Sequence, residues 1–276
     1  MSKLSQTDPE INKLIRAESK RQQTFLNMIP SENYTSEAVR TAVGSVLMHK
    51  YSEGNIGARY YEGNENIDEI ERIAISRAKK LFKLPPDWEV NVQALSGSNA
   101  NLAVYLAVLK PGETLMGMHL PDGGHLSHGW SYEAGEQVDR NTMEYLGGSK
   151  KVNISAKLFY SVQYKVDPKT QLFDYDKVEE IALKHKPKLL ITGGTAYPRN
   201  IDYKRMAEIA HKVGALYMAD IAHEAGLIAA GVLPSPVGIA DIVTMTTHKT
   251  LRAARGAIIL AHADIIKKVN RAVLPG

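Results

Sequence analysis

The sequence predicts an α/β protein, a three-layer α-β-α arrangement around a mainly parallel sheet. Three observations carry the prediction. From residue 90 onward, short apolar runs alternate with stretches of helical periodicity, the order that gives parallel strands joined by crossover helices. Polar and glycine-rich clusters follow several of those runs, where open α/β sheets bind ligands. The chain has 276 residues, 44% of them hydrophobic and 23% charged, enough apolar material for a large core.

Composition excludes several classes. There is no cysteine, which removes disulfides, thiolate metal sites and thiol nucleophiles together. The 34 Lys and Arg nearly balance 30 Asp and Glu and are scattered, so neither long disorder nor a nucleic-acid surface is expected. No apolar run approaches the ~20 residues of a membrane helix. The start, Met1-Ser2-Lys3-Leu4-Ser5, lacks the apolar core of a signal peptide. A soluble, cytoplasmic protein is the expectation.

The elements follow in order. Asp8 caps a first helix, with Pro9 at its first position and Ile11, Leu14 and Ile15 as an apolar stripe. A second helix starts at Ser36, with Val39, Val43 and Val46 at helical spacing. A third starts after Asn66. Its acids (Asp68, Glu69, Glu71) come first and its bases (Arg77, Lys79, Lys80) last, as the helix dipole favours. Pro85 and Pro86 close it. Strands are expected at 90–95, 114–118, 189–192, 216–220, 242–245 and 257–260, and helices at 100–109, 177–185, 203–213 and 264–273. Residues 152–164 suggest a further strand or two. The stretch 31–63, rich in Gly, Tyr and Asn, reads as irregular and as a contact with another subunit. The expected division is a helical arm over 1–50 and a large domain over 51–276.

Four clusters fall beyond strand ends. Ser96-Gly97-Ser98 opens a helix whose N-terminus and small residues suit a phosphate; the alternative is an ordinary cap with Ser98 as cap residue. His125 and His128 lie in a glycine-rich loop. Two histidines three apart suit a metal on a helix, but the glycines argue against a helix and no third ligand is near in sequence, so no metal is expected. A ring stacked on a planar ligand and a plain surface loop both remain open. Asp220 ends an apolar strand and needs a donor or cation there; a satisfied core acid is the alternative. Lys249 follows a strand through Thr246-Thr247-His248 and is either a desolvated, nucleophilic amine or a surface lysine. Taken in order, a phosphate cradle, a stacking His, an Asp at a strand end and a Lys 29 positions later match the needs of pyridoxal phosphate.

The chain resembles the serine hydroxymethyltransferases over nearly its whole length. The resemblance rests on Ile29-Pro30-Ser31-Glu32-Asn33-Tyr34, on Tyr51-Ser52-Glu53-Gly54 followed by Gly57-Ala58-Arg59-Tyr60-Tyr61, and on Gly63-Asn64-Glu65. It continues through Leu95-Ser96-Gly97-Ser98, Asp122-Gly123-Gly124-His125-Leu126-Ser127-His128-Gly129, Asp220-Ile221-Ala222-His223 and Thr246-Thr247-His248-Lys249-Thr250-Leu251. It implies the large domain of the aspartate-aminotransferase type (fold type I) and an enzyme that interconverts serine plus tetrahydrofolate with glycine plus methylenetetrahydrofolate. Lys249 would carry pyridoxal 5′-phosphate as an aldimine, Asp220 would pair with the ring nitrogen, and His125 would stack on the ring. His223 and Thr195 would lie near the phenolic oxygen. Ser96, Gly97 and Ser98 would hold the phosphate, with Tyr51 reaching it across a subunit interface. Glu53 would be the acid–base group, also across that interface. Thr247 and His248 belong to the same lysine turn, and Arg255 lies beside it. Ser31 and Tyr61 would contact the amino acid, and Leu120, Gly124 and Leu126 would wall the folate pocket. A homodimer or higher oligomer is implied.

The family pattern is not met everywhere. The family's small C-terminal domain, with the arginine that grips the substrate carboxylate, is expected to be missing. Ala253, Ala254 and Ala257 stand where the family has Gly-Pro and Gly, and Ala resists positive φ, so a reshaped loop is expected. Glu62 replaces a glycine, Asn55-Ile56 a Tyr-Pro pair, and Glu224 an apolar residue. Glu224 either favours a charged His223 or is a harmless exposed turn acid. Two other functions fit the residues: a non-catalytic large domain that binds a partner, such as a separate C-terminal polypeptide, and a folate-independent aldolase of 3-hydroxy amino acids.

Overall fold

The computed structural model describes residues 3–133, 137–138, 145–146 and 150–276. Seven strands form one sheet in the order Trp88–Asn91, Ala257–His262, Ile242–Thr246, Leu216–Asp220, Leu189–Thr192, Thr114–Met118, Tyr160–Tyr164. Ala257–His262 is antiparallel to both neighbours. The other neighbours pair in parallel, so the carboxyl ends of the other strands open on one edge.

Side chains alternate between two cores with the period of a strand. Leu189, Ile191 and Met218 belong to one, Leu190, Tyr217 and Ala219 to the other. Helices Gly97–Val108 and Ala263–Val273 pack on each other and cover the first face through Val104, Tyr105, Ile266 and Val269. Helices Glu65–Leu81, Tyr175–His185 and Tyr203–Lys212 cover the second through Ala78, Val178, Met206 and Ile209. This is the three-layer α/β architecture that the alternation predicts.

Several boundaries differ from the sequence expectation, each for a local reason. The strand expected at 90–95 runs Trp88–Asn91; Asn91 Oδ1 accepts from Gln93 N–H at 3.0 Å and turns the chain out of the ladder. The helix expected from Ala100 begins at Gly97. Its cap is Ser96, whose Oγ accepts from Asn99 N–H, and not Ser98. Residues 152–164 form a short helix, Ile154–Leu158, capped by Asn153, before the strand Tyr160–Tyr164. The helix capped by Ser36 ends at Val43 before Gly44, and Val46–His49 is a separate 3₁₀ turn.

Residues 3–61 pack differently from the rest. Asp8 caps Pro9–Thr24 as predicted, accepting from Ile11 N–H at 3.0 Å. Its stripe of Ile11, Leu14 and Ile15 is nonetheless exposed. Two hydrogen bonds tie the arm to the lysine turn: Asn33 Nδ2 donates to Lys249 O at 3.1 Å, and Arg252 Nε to Tyr34 O at 3.0 Å. The segment 51–61 is fixed by the buried Arg59. It pairs with Asp68 at 2.8 Å and Glu71 at 2.9 Å and donates to the carbonyls of Ser52 and Gly54, both at 2.7 Å.

Candidate active site

Asp220 sits at the end of its strand with 7% of its surface exposed. Its donors come from two other elements. Asn101, one turn into helix Gly97–Val108, donates through Nδ2 to Oδ2 at 2.9 Å. His128 Nε2 lies 3.0 Å from the same oxygen, and Ala222 N–H reaches Oδ1 at 3.0 Å. Asn101 is itself held by Thr244 Oγ1, which donates to its Oδ1 at 2.8 Å. Burial alone would raise the Asp220 carboxyl. The hydrogen bond and charge of His128, with the bond from Asn101, overcome burial and hold it well below the usual carboxylate range.

The histidine loop folds over this acid. The His125 and His128 rings are 5.4 Å apart, and His125 Nδ1 is 2.7 Å from Ser127 Oγ. Burial first, and the charge of His128 second, lower the His125 pKa to about 4, so the ring is neutral at pH 7. The fold supplies a third ligand atom that sequence spacing does not reveal: His125, His128 and Asp220 offer atoms within 4.8 Å of one another. The Asp220 carboxylate is already served by Asn101, His128 and Ala222, so the arrangement stands without an ion.

Lys249 is half-buried beyond the end of strand Ile242–Thr246. Burial lowers its pKa, and the opposite charge of Asp220 resists that shift. The turn is braced by Thr247, whose Oγ1 donates to Ala254 O at 2.6 Å. The left-handed strain here falls on Arg252, at φ 56°. It does not fall on Ala253, Ala254 or Ala257, none of which takes a positive φ.

A sequence model of serine hydroxymethyltransferase matches residues 4–275. The chain belongs to the serine hydroxymethyltransferase family. It is 51% identical over 269 residues to the cytosolic serine hydroxymethyltransferase of Candida glabrata, covering 97% of this chain and 54% of that protein. It is 51% identical to the serine hydroxymethyltransferase of Coprothermobacter proteolyticus over 99% of this chain and 60% of that protein. For the enzyme of Acidothermus cellulolyticus the figures are 50%, 100% and 59%. The chain therefore spans a little over half the length of these relatives. The family uses pyridoxal phosphate and tetrahydrofolate.

The residues present fit pyridoxal phosphate. Thr246 Oγ1 and His248 Nδ1 are buried without a hydrogen-bond partner among the described residues, as donors kept for a ligand would be. Gly97 opens the nearby helix so close to this strand that a Cβ would meet Thr246 Cγ2 at 2.7 Å. Backbone N–H groups at that helix start remain available to an anion. Ser96 is engaged with Asn99, while Ser98 is exposed.

The other expected residues divide into those near Lys249 and those away from it. Ser31, His248, Lys249 and Arg255 line one open cavity of about 1220 Å³ beside the first long helix. Arg255 Nη1 is 3.5 Å from His248 Nε2. Thr195 and His223 line a second cavity of about 480 Å³; Thr195 Oγ1 donates to Gly124 O at 2.8 Å. Leu120 and the exposed Leu126 flank Gly124, where a Cβ would meet Met118 O at 2.2 Å. Tyr51 and Tyr61 pack edge to face, 5.9 Å apart, over a separate hollow, and Glu53 is exposed. None of these last three lines either cavity.

Sequence reasoning missed Asn101 and Thr244, and it weighed His128 only as a metal ligand. The signal for Asn101 was a polar residue on the buried face of an otherwise apolar helix. The reading in which Glu224 charges His223 is overturned. Burial, then the charge of Lys249, lower the His223 pKa. Glu224 is itself pushed up to about 7 by burial and by Asp220, which weakens it as a counter-ion.

Proposed function

We propose that the chain carries the cofactor site of a serine hydroxymethyltransferase, acting in the reversible conversion of serine and tetrahydrofolate to glycine and methylenetetrahydrofolate. The observation that carries this reading is the pairing of a buried, ionised Asp220 with a desolvated Lys249 beside the unpartnered Thr246 and His248. When bound, pyridoxal phosphate supplies an electron-accepting ring. Asp220 keeps a proton on the ring nitrogen, because its own carboxyl resists protonation. Lys249, with its lowered pKa, offers more neutral amine at pH 7 than an exposed lysine would. His125 offers an uncharged ring face, and His223 and Thr195 would hold the phenolic oxygen. His248, Thr246 and the backbone at Gly97 and Ser98 would hold the phosphate.

Substrate roles follow the family pattern. Ser31, at the mouth of the Lys249 cavity, orients the amino acid. Glu53 moves a proton at the serine hydroxyl, an acid–base contribution typically of 10²–10⁴-fold. Glu53, Tyr51 and Tyr61 serve the site of a second copy, which their exposure and their absence from the lining of the Lys249 cavity support. Leu120, Gly124 and Leu126 wall the folate site. A cytoplasmic setting is supported by the yeast relatives, which are named cytosolic; among the described residues no helix is long and apolar enough to cross a membrane.

The purified chain mixed with pyridoxal phosphate should develop a visible band. Borohydride should then fix the cofactor on residue 249 by mass spectrometry, and Lys249→Ala should abolish both signals. A wild-type chain that stays colourless, or labelling at other lysines only, refutes the reading. Serine turnover that requires tetrahydrofolate separates it from a folate-independent aldolase, which would cleave threonine equally well without folate.

A further inference from the structure

We propose that Glu224 and the cavity it lines bind a small ligand that carries a cationic nitrogen, an ammonium or amidinium, on an apolar or aromatic body. The cavity, about 480 Å³, is walled by Tyr203, Leu227 and Leu233, with His223 and Arg199 at its edges. That size and lining suit a drug-sized molecule. Glu224 lies in the turn after Asp220, before the short helix Ala225–Ala229. Its side chain makes no hydrogen bond to any described residue and caps nothing. A half-buried carboxyl without a donor is costly in its charged form, and a cation brought against it would relieve that cost.

The charged and titratable groups around it leave the assignment to Glu224. Asp220, at the strand end, adds a second negative charge and repels an anion. Tyr203, on helix Tyr203–Lys212, is pushed up by burial and stays neutral. Tyr197 and Arg199 lie on the loop after Leu189–Thr192, and Arg199 is exposed, with its charge in solvent. His223, in the same turn, has a lowered pKa and is uncharged at neutral pH. Because the Glu224 carboxyl titrates near 7, a cation bound to it below that pH must displace a proton. Thr195 and His223 line the same cavity, so it adjoins the proposed cofactor site, but that chemistry does not use Glu224.

Calorimetry on the chain loaded with pyridoxal phosphate tests this with three probes of one shape: benzamidine, benzamide and benzoate. Benzamidine should bind at least tenfold more tightly than benzamide, the scale of one charge-assisted contact, and benzoate should not bind. Between pH 8 and pH 6 benzamidine affinity should fall about tenfold as Glu224 protonates. Glu224→Gln should remove both the preference and the pH dependence. Leu227→Trp, at a position already partly exposed, should block benzamidine while leaving the carboxyl in place. Equal binding of benzamidine to wild type and Glu224→Gln, tighter binding of benzoate, or no benzamidine binding at all would each overturn the proposal.

Discussion

His125 shows how far one buried side chain couples the site to pH. Its ring is neutral because burial and the neighbouring His128 lower its pKa to about 4, against about 6.5 in an unfolded chain. The unfolded chain thus binds the proton first. The stabilisation is fully present above about pH 6.5 and is lost as pH falls toward 4, by about 3 kcal/mol at most. Thermal melts between pH 7 and 4 should show that loss, and His125→Gln should flatten it; an unchanged slope in the variant would place the effect elsewhere. Asp220 works in the same sense at lower pH, its contribution being lost only as pH falls below the unfolded carboxyl value of about 3.9. It is held ionised by donors from two other elements, so its contribution persists until the pH is well into the acid range. At this scale the sequence singled out His125, Asp220 and Lys249 as candidates, by type and by position after strands. It did not mark Asn101 or the bond from His128, because which polar atoms meet a carboxylate depends on how a helix packs against a strand end.

Among the elements, the segment 51–61 depends most on a single residue. It contains Tyr51 and Glu53 and has almost no regular structure beyond a two-residue hairpin, Gly54–Asn55 with Ala58–Arg59. Arg59 holds it against helix Glu65–Leu81 through two carboxylates and two carbonyls. Removing one member of such a buried network leaves the others unpaired. Arg59→Ala should therefore cost about 3 kcal/mol in urea unfolding and should speed tryptic cleavage at Lys50. Intact resistance to trypsin would show that the segment is held by other means. Sequence patterning located the long helices and central strands well. Strand and helix ends were less legible, because they are fixed by particular side-chain bonds, as at Asn91 and Ser96. In a run such as Ser96-Gly97-Ser98-Asn99 several residues can cap equally well on propensity alone.

For the whole molecule, the distribution of exposed apolar side chains is the main feature. Leu26 is 85% and Met28 79% exposed, and Phe25, Val46 and Tyr51 lie on the same arm and the segment after it. Exposed apolar side chains in this number suit an interaction face, and the proposed partner is a second copy of the chain. Leu26→Glu combined with Met28→Glu should shift the chain toward monomer in sedimentation velocity, weakening self-association at least tenfold by placing two charges in an apolar contact. Wild type that is already monomeric at high concentration would remove the proposal. The sequence by itself determined the fold class and the family, because alternation and ordered motifs are properties of the chain as written. Only the tertiary structure decided that Asp220 is an anion, that His125 is neutral and that Glu224 lacks a partner. Those states are set by burial and by donors more than ninety residues away along the chain, which meet only when the sheet and its helices close around them.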